Sequence, residues 1–355
     1  MPPMMGAAAF ILAQNVGIPY VKVAACAAIP AILYYLAVYF MVDFRAGKMG
    51  LKETPEDAMP DLKKTFREGW LLILPIILIV YLMAVGKSAQ FSALMATLSL
   101  IVVSFAHKKT RVDGRGMFHA LIEGIKDTAG VSVTAGAAGI IIGGITNTGL
   151  NLIFANQILK ICDGKLLVAL VLIAIVSLIL GMGMTTTAVY ITVATIMAPA
   201  LVKMGVNMLA AHLFCFYFGC ICTITPPVAL ASFTAAGISG GSPSKTGWIS
   251  FRLGMVAYIV PFIFVYQPSL IFQDGSVLAS IIAAITASVG CWAIAAAIEG
   301  YCDSKLTWIE RMCWFGGGLA MMIPGTLTDV VGIMLISGMF LLQKRRARAA
   351  VDSAK

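Results

Sequence analysis

The polar groups able to act on a small ion or solute sit in three clusters, and they are uncharged. The first is Thr146, Asn147 and Thr148 with Gly149, just after the pair Gly143-Gly144. The second runs Gly181-Met182-Gly183-Met184-Thr185-Thr186-Thr187, and the third Thr223-Ile224-Thr225-Pro226-Pro227. No carboxylate occurs between Asp127 and Asp163, or between Asp163 and Asp274. A helix interrupted at such a cluster presents carbonyls with partial negative charge to a cation, and amides with partial positive charge to a carboxylate. Hydroxyl and amide oxygens complete a hard-oxygen shell, so the chemistry expected is Na⁺ held beside an anionic substrate, with no resident cofactor. A proton-coupled carrier would place an Asp, Glu or His relay in the membrane, and only His212 is available there.

Other chemistries are weighed against this one. Gly139-x-x-x-Gly143 is a close-approach motif, and a threonine in a span often bonds only its own backbone, so the clusters can serve packing alone. A non-transporting scaffold that docks a partner is therefore the alternative function. An intramembrane enzyme using His212 with Cys215 lacks a third group to orient the imidazole. Arg252 could meet a substrate carboxylate but reads rather as a residue snorkelling from a span end. Cys220-x-Cys222 is too close for the usual zinc pair and has no second pair. Gly164-Lys165 lacks the rest of a phosphate loop, which leaves an ion gradient as the energy source. One Na⁺ moving down ~100 mV yields roughly 2.3 kcal/mol, and a tenfold gradient adds about 1.4. A doubly charged anion moving inward spends roughly 4.6 kcal/mol, so more than one cation site is expected.

Lipid is the solvent for the elements that hold these clusters. Of 355 residues 60% are apolar and 12% charged, against roughly 45–50% and 25% in soluble domains. The expected fold is an all-α integral membrane protein, a polytopic bundle with broken or re-entrant helices. Plain spans read at 21–42, 70–86, 88–106, 249–272, 277–298, 306–323 and 326–342. Between them lie three apolar elements interrupted at their centres: 128–159 at Gly143–Gly149, 165–203 at Gly181–Thr187, and 207–237 at Thr223–Pro227. Residues 116–126 place Met117, Phe118, Leu121, Ile122 and Ile125 on one helical face, which predicts a separate helix lying in the membrane interface. Lys and Arg concentrate at 45–67, at 108–115 and in the tail from Lys344, marking cytoplasmic loops. For the tail to share that side, an odd number of the broken elements must re-enter without crossing. No contiguous basic face with stacking aromatics is present, so nucleic acid is not an expected partner. The eight cysteines lie mostly in apolar runs and read as packing residues.

There is an internal echo: Met1-Pro2-Pro3-Met4-Met5-Gly6-Ala7-Ala8-Ala9-Phe10 is similar to Thr225-Pro226-Pro227-Val228-Ala229-Leu230-Ala231-Ser232-Phe233. Each is followed by a span with an internal proline, Pro30 or Pro261, as in transporters built from repeats. Three runs then carry a family resemblance: LGMGMTTTAVYI at Leu180–Ile191, CTITPPVALASFTAAGISG at Cys222–Gly240 and IVPFIFVYQPSLIF at Ile259–Phe272. Together with the opening PPMMGAAAFILAQNVGIPY they resemble the large membrane subunit of tripartite ATP-independent periplasmic (TRAP) transporters, nearest to the fused permease that works with a TAXI-class binding protein. The resemblance implies an elevator-type, Na⁺-coupled importer of small organic acids in the bacterial inner membrane, served by a periplasmic binding protein. It places ion-site loops at Gly181–Thr187 and Thr223–Pro227, with Asn147 nearby. On this reading 1–42 is the end of a first repeat, and 43–127 a linker with two spans and an interfacial arm. Residues 128–272 form a second-repeat transport core, and 273–355 add extra membrane helices with a basic tail. This chain has Thr185 where the family commonly has proline. The family's first-repeat loop and small-subunit helices would precede residue 1, so the chain is expected to be a C-terminal portion that needs the missing half or a small membrane subunit.

Overall fold

The computed structural model describes residues 1–352 except 3–4, 52–60, 62, 64–65, 67–68, 106–110, 112, 183, 274–275 and 303. At further positions, most of them between 127 and 159 and from 344 onward, it describes the backbone alone. The described residues are helical throughout, with no strand beyond an isolated bridge between Tyr301 and Lys305.

The chain begins with α1 (Ala7–Val16) and the long α2 (Tyr20–Met49). A tight hairpin follows, α3 (Leu74–Ala84) and α4 (Ala89–Ser104), the second capped by Ser88, whose side chain accepts from Phe91 N. Then come α5 (Gly114–Thr148), α6 (Leu150–Cys162), α7 (Leu166–Leu180), α8 (Thr186–Lys203) and α9 (Met208–Ile221). A 3₁₀ turn (Cys222–Ile224) leads to α10 (Leu230–Ser239), α11 (Pro243–Leu253) and α12 (Met255–Tyr266). Last are α13 (Val277–Glu299), α14 (Trp308–Met322) and α15 (Thr326–Asp352). Five stretches are long and apolar enough to cross a membrane: Tyr20–Met49, Thr186–Lys203, Pro243–Tyr266, Val277–Glu299 and Thr326–Gln343. Asn156–Cys162 and Leu166–Leu180 together are apolar enough for a sixth, but bend by 120° at their junction, as a re-entrant element does. The protein is a multi-pass membrane protein.

Two levels of the bundle are fixed by side-chain contacts. At one, Gln273 Nε2 meets Cys26 Sγ at 3.7 Å, Ser280 Oγ donates to Ser269 O at 2.7 Å, and Asn207 Nδ2 meets Gln273 Oε1 at 3.4 Å. At the other, Glu299 pairs with Arg252 at 2.9 Å and Arg45 at 3.5 Å, and Lys48 Nζ donates to Glu299 O at 2.6 Å. Helices α2 and α13 therefore run parallel, and each rises about 28 Å between the levels. That is close to the ~30 Å of a bilayer's hydrocarbon core. Helix α12 runs the opposite way, from Gly254 beside Arg252 to the Gln267–Gln273 turn.

All three expected breaks fall within their clusters. In the first, α5 runs through Gly143-Gly144 and the chain turns at Gly149, the last residue of the cluster, whose φ of +68° is left-handed. Glycines with helical dihedrals do not break a helix; a residue held at positive φ does. Residues 116–126, expected as a helix in the membrane interface, are helical and form the first part of α5. The helices at 70–86, 88–106 and 306–323 form, but each has fewer than 18 residues. Such a helix rises less than about 27 Å, short of a bilayer core. The large core gathers α1, α2, α7–α9, α12 and the first half of α13; a second cluster centres on fully buried Trp314 with Met41, Phe44 and Ala293.

Candidate functional site

Helix α9 starts at one level, capped by Asn207, whose Oδ1 accepts from Leu209 N at 2.9 Å. It ends about 22 Å further on, where Cys222–Ile224 tightens into a 3₁₀ turn. Pro226 and Pro227, joined by a cis peptide bond, follow at once; neither has an N–H to continue a helix. Thr223 Oγ1 donates to Cys220 O and Thr225 Oγ1 to Ile221 O, each at 2.7 Å. With its one proton spent on the carbonyl, Thr225 must accept the 2.6 Å bond from the Tyr258 hydroxyl of α12. The threonines thus close the carbonyls that the turn leaves open, while their lone pairs stay available to a donor or a cation.

The second break meets this one. Gly181 ends α7, and a Cβ there would lie 2.6 Å from both Cβ and Sγ of Cys222, so only glycine fits. Thr185 caps the next helix, its hydroxyl accepting from Ala188 N at 3.5 Å. Gly219, on the last turn of α9, faces the first turn of α8 near Thr186 O and Tyr190 N. Helix α8 then returns to Lys203, one short turn from Asn207. Residues 166–203 therefore form a helical hairpin whose tip, Gly181–Thr185, rests on the third break. Thr186 and Thr187 are half-buried in its return limb. Gly183 and the side chain of Thr146 lie outside the described residues.

The first cluster is placed differently. Asn147 is exposed, and Thr148 Oγ1 donates to Gly144 O at 2.6 Å. Helix α6, which follows Gly149, is tied to the far end of α8, where Lys203 Nζ donates to Asn156 Oδ1 at 3.1 Å. That contact is about 26 Å along α8 from Thr186.

Three polar contacts went unread in the sequence. Tyr258 joins the third break from α12. His212, 8% exposed, bonds through Nδ1 to the Tyr190 hydroxyl at 2.9 Å, and Asn15 Nδ2 donates to the same hydroxyl at 3.4 Å. The Tyr190 hydroxyl thus joins Asn15 to the imidazole. The imidazole's partner is Tyr190, not Cys215. Arg252 neither snorkels nor stands free for a substrate: it is committed to Glu299, which has no solvent exposure, and to Ile298 O at 3.1 Å. Residues far apart in sequence give no periodic signal of such pairings.

The arrangement offers neutral oxygens around two helix breaks in contact. The chain matches the tripartite ATP-independent periplasmic transporter, DctM component, over residues 1–279. It is 24% identical over 242 residues to the sialic acid TRAP transporter permease protein SiaT of Haemophilus influenzae (strain 86-028NP). That similarity takes in 66% of this chain and 37% of the relative's length. No solved structure matches the chain. With the family match running through both breaks and the hairpin between them, the chain belongs to the DctM permease family of TRAP transporters.

Proposed function

We propose that the chain is a permease subunit of a Na⁺-coupled secondary transporter that imports organic acids across the bacterial inner membrane. A periplasmic binding protein, of the TAXI type, hands the acid to it. One observation carries this reading: the hairpin tip at Gly181–Thr185 rests on the 3₁₀ turn at Cys222–Ile224, so two helix breaks rich in neutral oxygen share one place. Broken half-helices at such a place suit a cation and an anion together. No aspartate or glutamate stands between Asp163 and Asp274 to supply a proton relay instead. The relative's name records an acid as its cargo.

The test is direct. Purified chain in lipid nanodiscs unfolds at a higher temperature in NaCl than in KCl or choline chloride of equal ionic strength, and Thr225→Val removes the difference. Uptake of a radiolabelled acid by proteoliposomes that also hold the binding protein and the small membrane subunit then requires an inward Na⁺ gradient. An unfolding midpoint indifferent to the cation would sink the Na⁺ reading. That result would favour the docking scaffold, for which the backbone-bonded hydroxyls of Thr223 and Thr225 already speak.

A further inference from the structure

Beside the third break the fold leaves a partly open cavity of about 290 Å³, walled by Met1, Pro2 and Met5 ahead of α1 and by α2, α9 and the 3₁₀ turn. Thr223 and Ile224 of the break form one part of the wall, Leu213 and Phe216 of α9 another. Tyr34 and Tyr217 add aromatic faces, each with a hydroxyl at its edge. No described lining residue carries a charged side chain. The volume lies at the small end of the ~300–1,000 Å³ usual for small-molecule sites.

This lining selects among acids. A carboxylate entering from the break can meet the charge of a coupling cation held on the free lone pairs of Thr223, whose proton is given to Cys220 O, while the rest of the molecule lies against hydrocarbon. Each methylene placed there strengthens binding about fourfold. Each sugar hydroxyl placed there without a partner weakens binding about tenfold. The geometry points to a substrate with one carboxylate and an apolar body, a branched-chain or aromatic monocarboxylate, and not a polyhydroxylated sugar acid. Its carboxylate lies toward Thr223 and its hydrocarbon against Leu213 and Phe216. This inference rests on the permease reading above and narrows its substrate class.

The experiment is thermal unfolding of the purified chain in nanodiscs in Na⁺ buffer, titrated with 4-methylpentanoate, phenylacetate, gluconate and N-acetylneuraminate. The first two are expected to raise the midpoint at concentrations at least about tenfold below the two sugar acids. Ala31→Leu and Ala257→Leu, which fill the cavity from α2 and α12, lose that response and keep the response to Na⁺. Equal or stronger stabilisation by the sugar acids, with the Na⁺ response intact, overturns the substrate class and leaves the permease reading standing. Stabilisation by long-chain fatty acids alone overturns it too, because the cavity would then be a seat for lipid. A wild-type chain with no Na⁺ response overturns both readings. Should either filled variant fail to fold, the wild-type ranking of the four acids decides by itself.

Discussion

Glu299 shows how a single carboxylate can be kept in an apolar chain. It has no solvent exposure, yet Arg252 and Arg45 approach one of its oxygens at 2.9 and 3.5 Å. Arg311 Nε and Nη2 bind the carbonyls of Ala297 and Ile298 at 2.8 and 3.0 Å, and Lys48 takes that of Glu299. Cations at a helix C-terminus also meet the negative end of its dipole. Glu299→Gln keeps the shape and removes the charge. Its two arginines are 34% and 37% exposed, so the loss falls below that of a fully buried pair, at about 1–3 kcal/mol. A clear drop in the unfolding midpoint is expected; no change would mean that the network contributes nothing to stability. Tyr190→Phe makes a useful contrast. It leaves His212 Nδ1 and Asn15 without their shared partner, at a cost of about 1–3 kcal/mol. Because the hydroxyl lies outside the two breaks, the Na⁺ response is expected to survive in this variant, unlike in Thr225→Val.

At the scale of the elements, the hairpin α7–α8 works only if its tip can reach the third break, and Gly181 decides that. Gly181→Ala would set a methyl 2.6 Å from Cys222 Cβ and Sγ. The two breaks must separate, an overpacking cost of about 1–3 kcal/mol. The expected signature is a Na⁺ response lost while the chain still unfolds cooperatively. Gly149→Ala is the control: its φ of +68° makes any side chain strained by about 1–2 kcal/mol, but nothing lies near it and the Na⁺ response should persist. These two glycines also mark how far the sequence could be read. Helices α2 and α13 are legible because nothing but a membrane span explains such apolar runs. The second and third breaks are legible because glycine, threonine and proline gather at their centres. The first break falls at the end of its cluster, because a Gly-Gly pair only permits a turn whereas Gly149 adopts the left-handed conformation that makes one. That the Gly181 loop would land on Cys222, or that Tyr258 would donate to Thr225, depends on how helices pack, which no local pattern encodes. The candidate site was therefore legible as residues and illegible as a place.

At the scale of the molecule, the two levels give the bundle a direction. The level of Glu299 gathers Arg45, Lys48, Arg252 and Arg311. Toward the other level, Ile79, Val80 and Met83 of α3 line one pocket with Tyr20, Val21 and Ala24. Helices α14 and α15 fold against one another, Gly317 facing Gly332, Leu335 and Ile336, so the basic tail runs out on the Glu299 side. The hairpin α7–α8 is the broken element that enters and turns back, which leaves the Glu299 level and the basic tail on a single side. Positive charge near span ends sets orientation, so this side should face the cytoplasm. Single cysteines test it, since the natural ones are buried or half-buried. Met49→Cys sits at the Glu299 level and Val277→Cys at the other; the two positions are 63% and 66% exposed. A membrane-impermeant maleimide added to intact spheroplasts should label the cysteine at 277 and spare the one at 49 until the membrane is broken. The reverse pattern would invert the molecule and place the hairpin's entry on the cytoplasmic side.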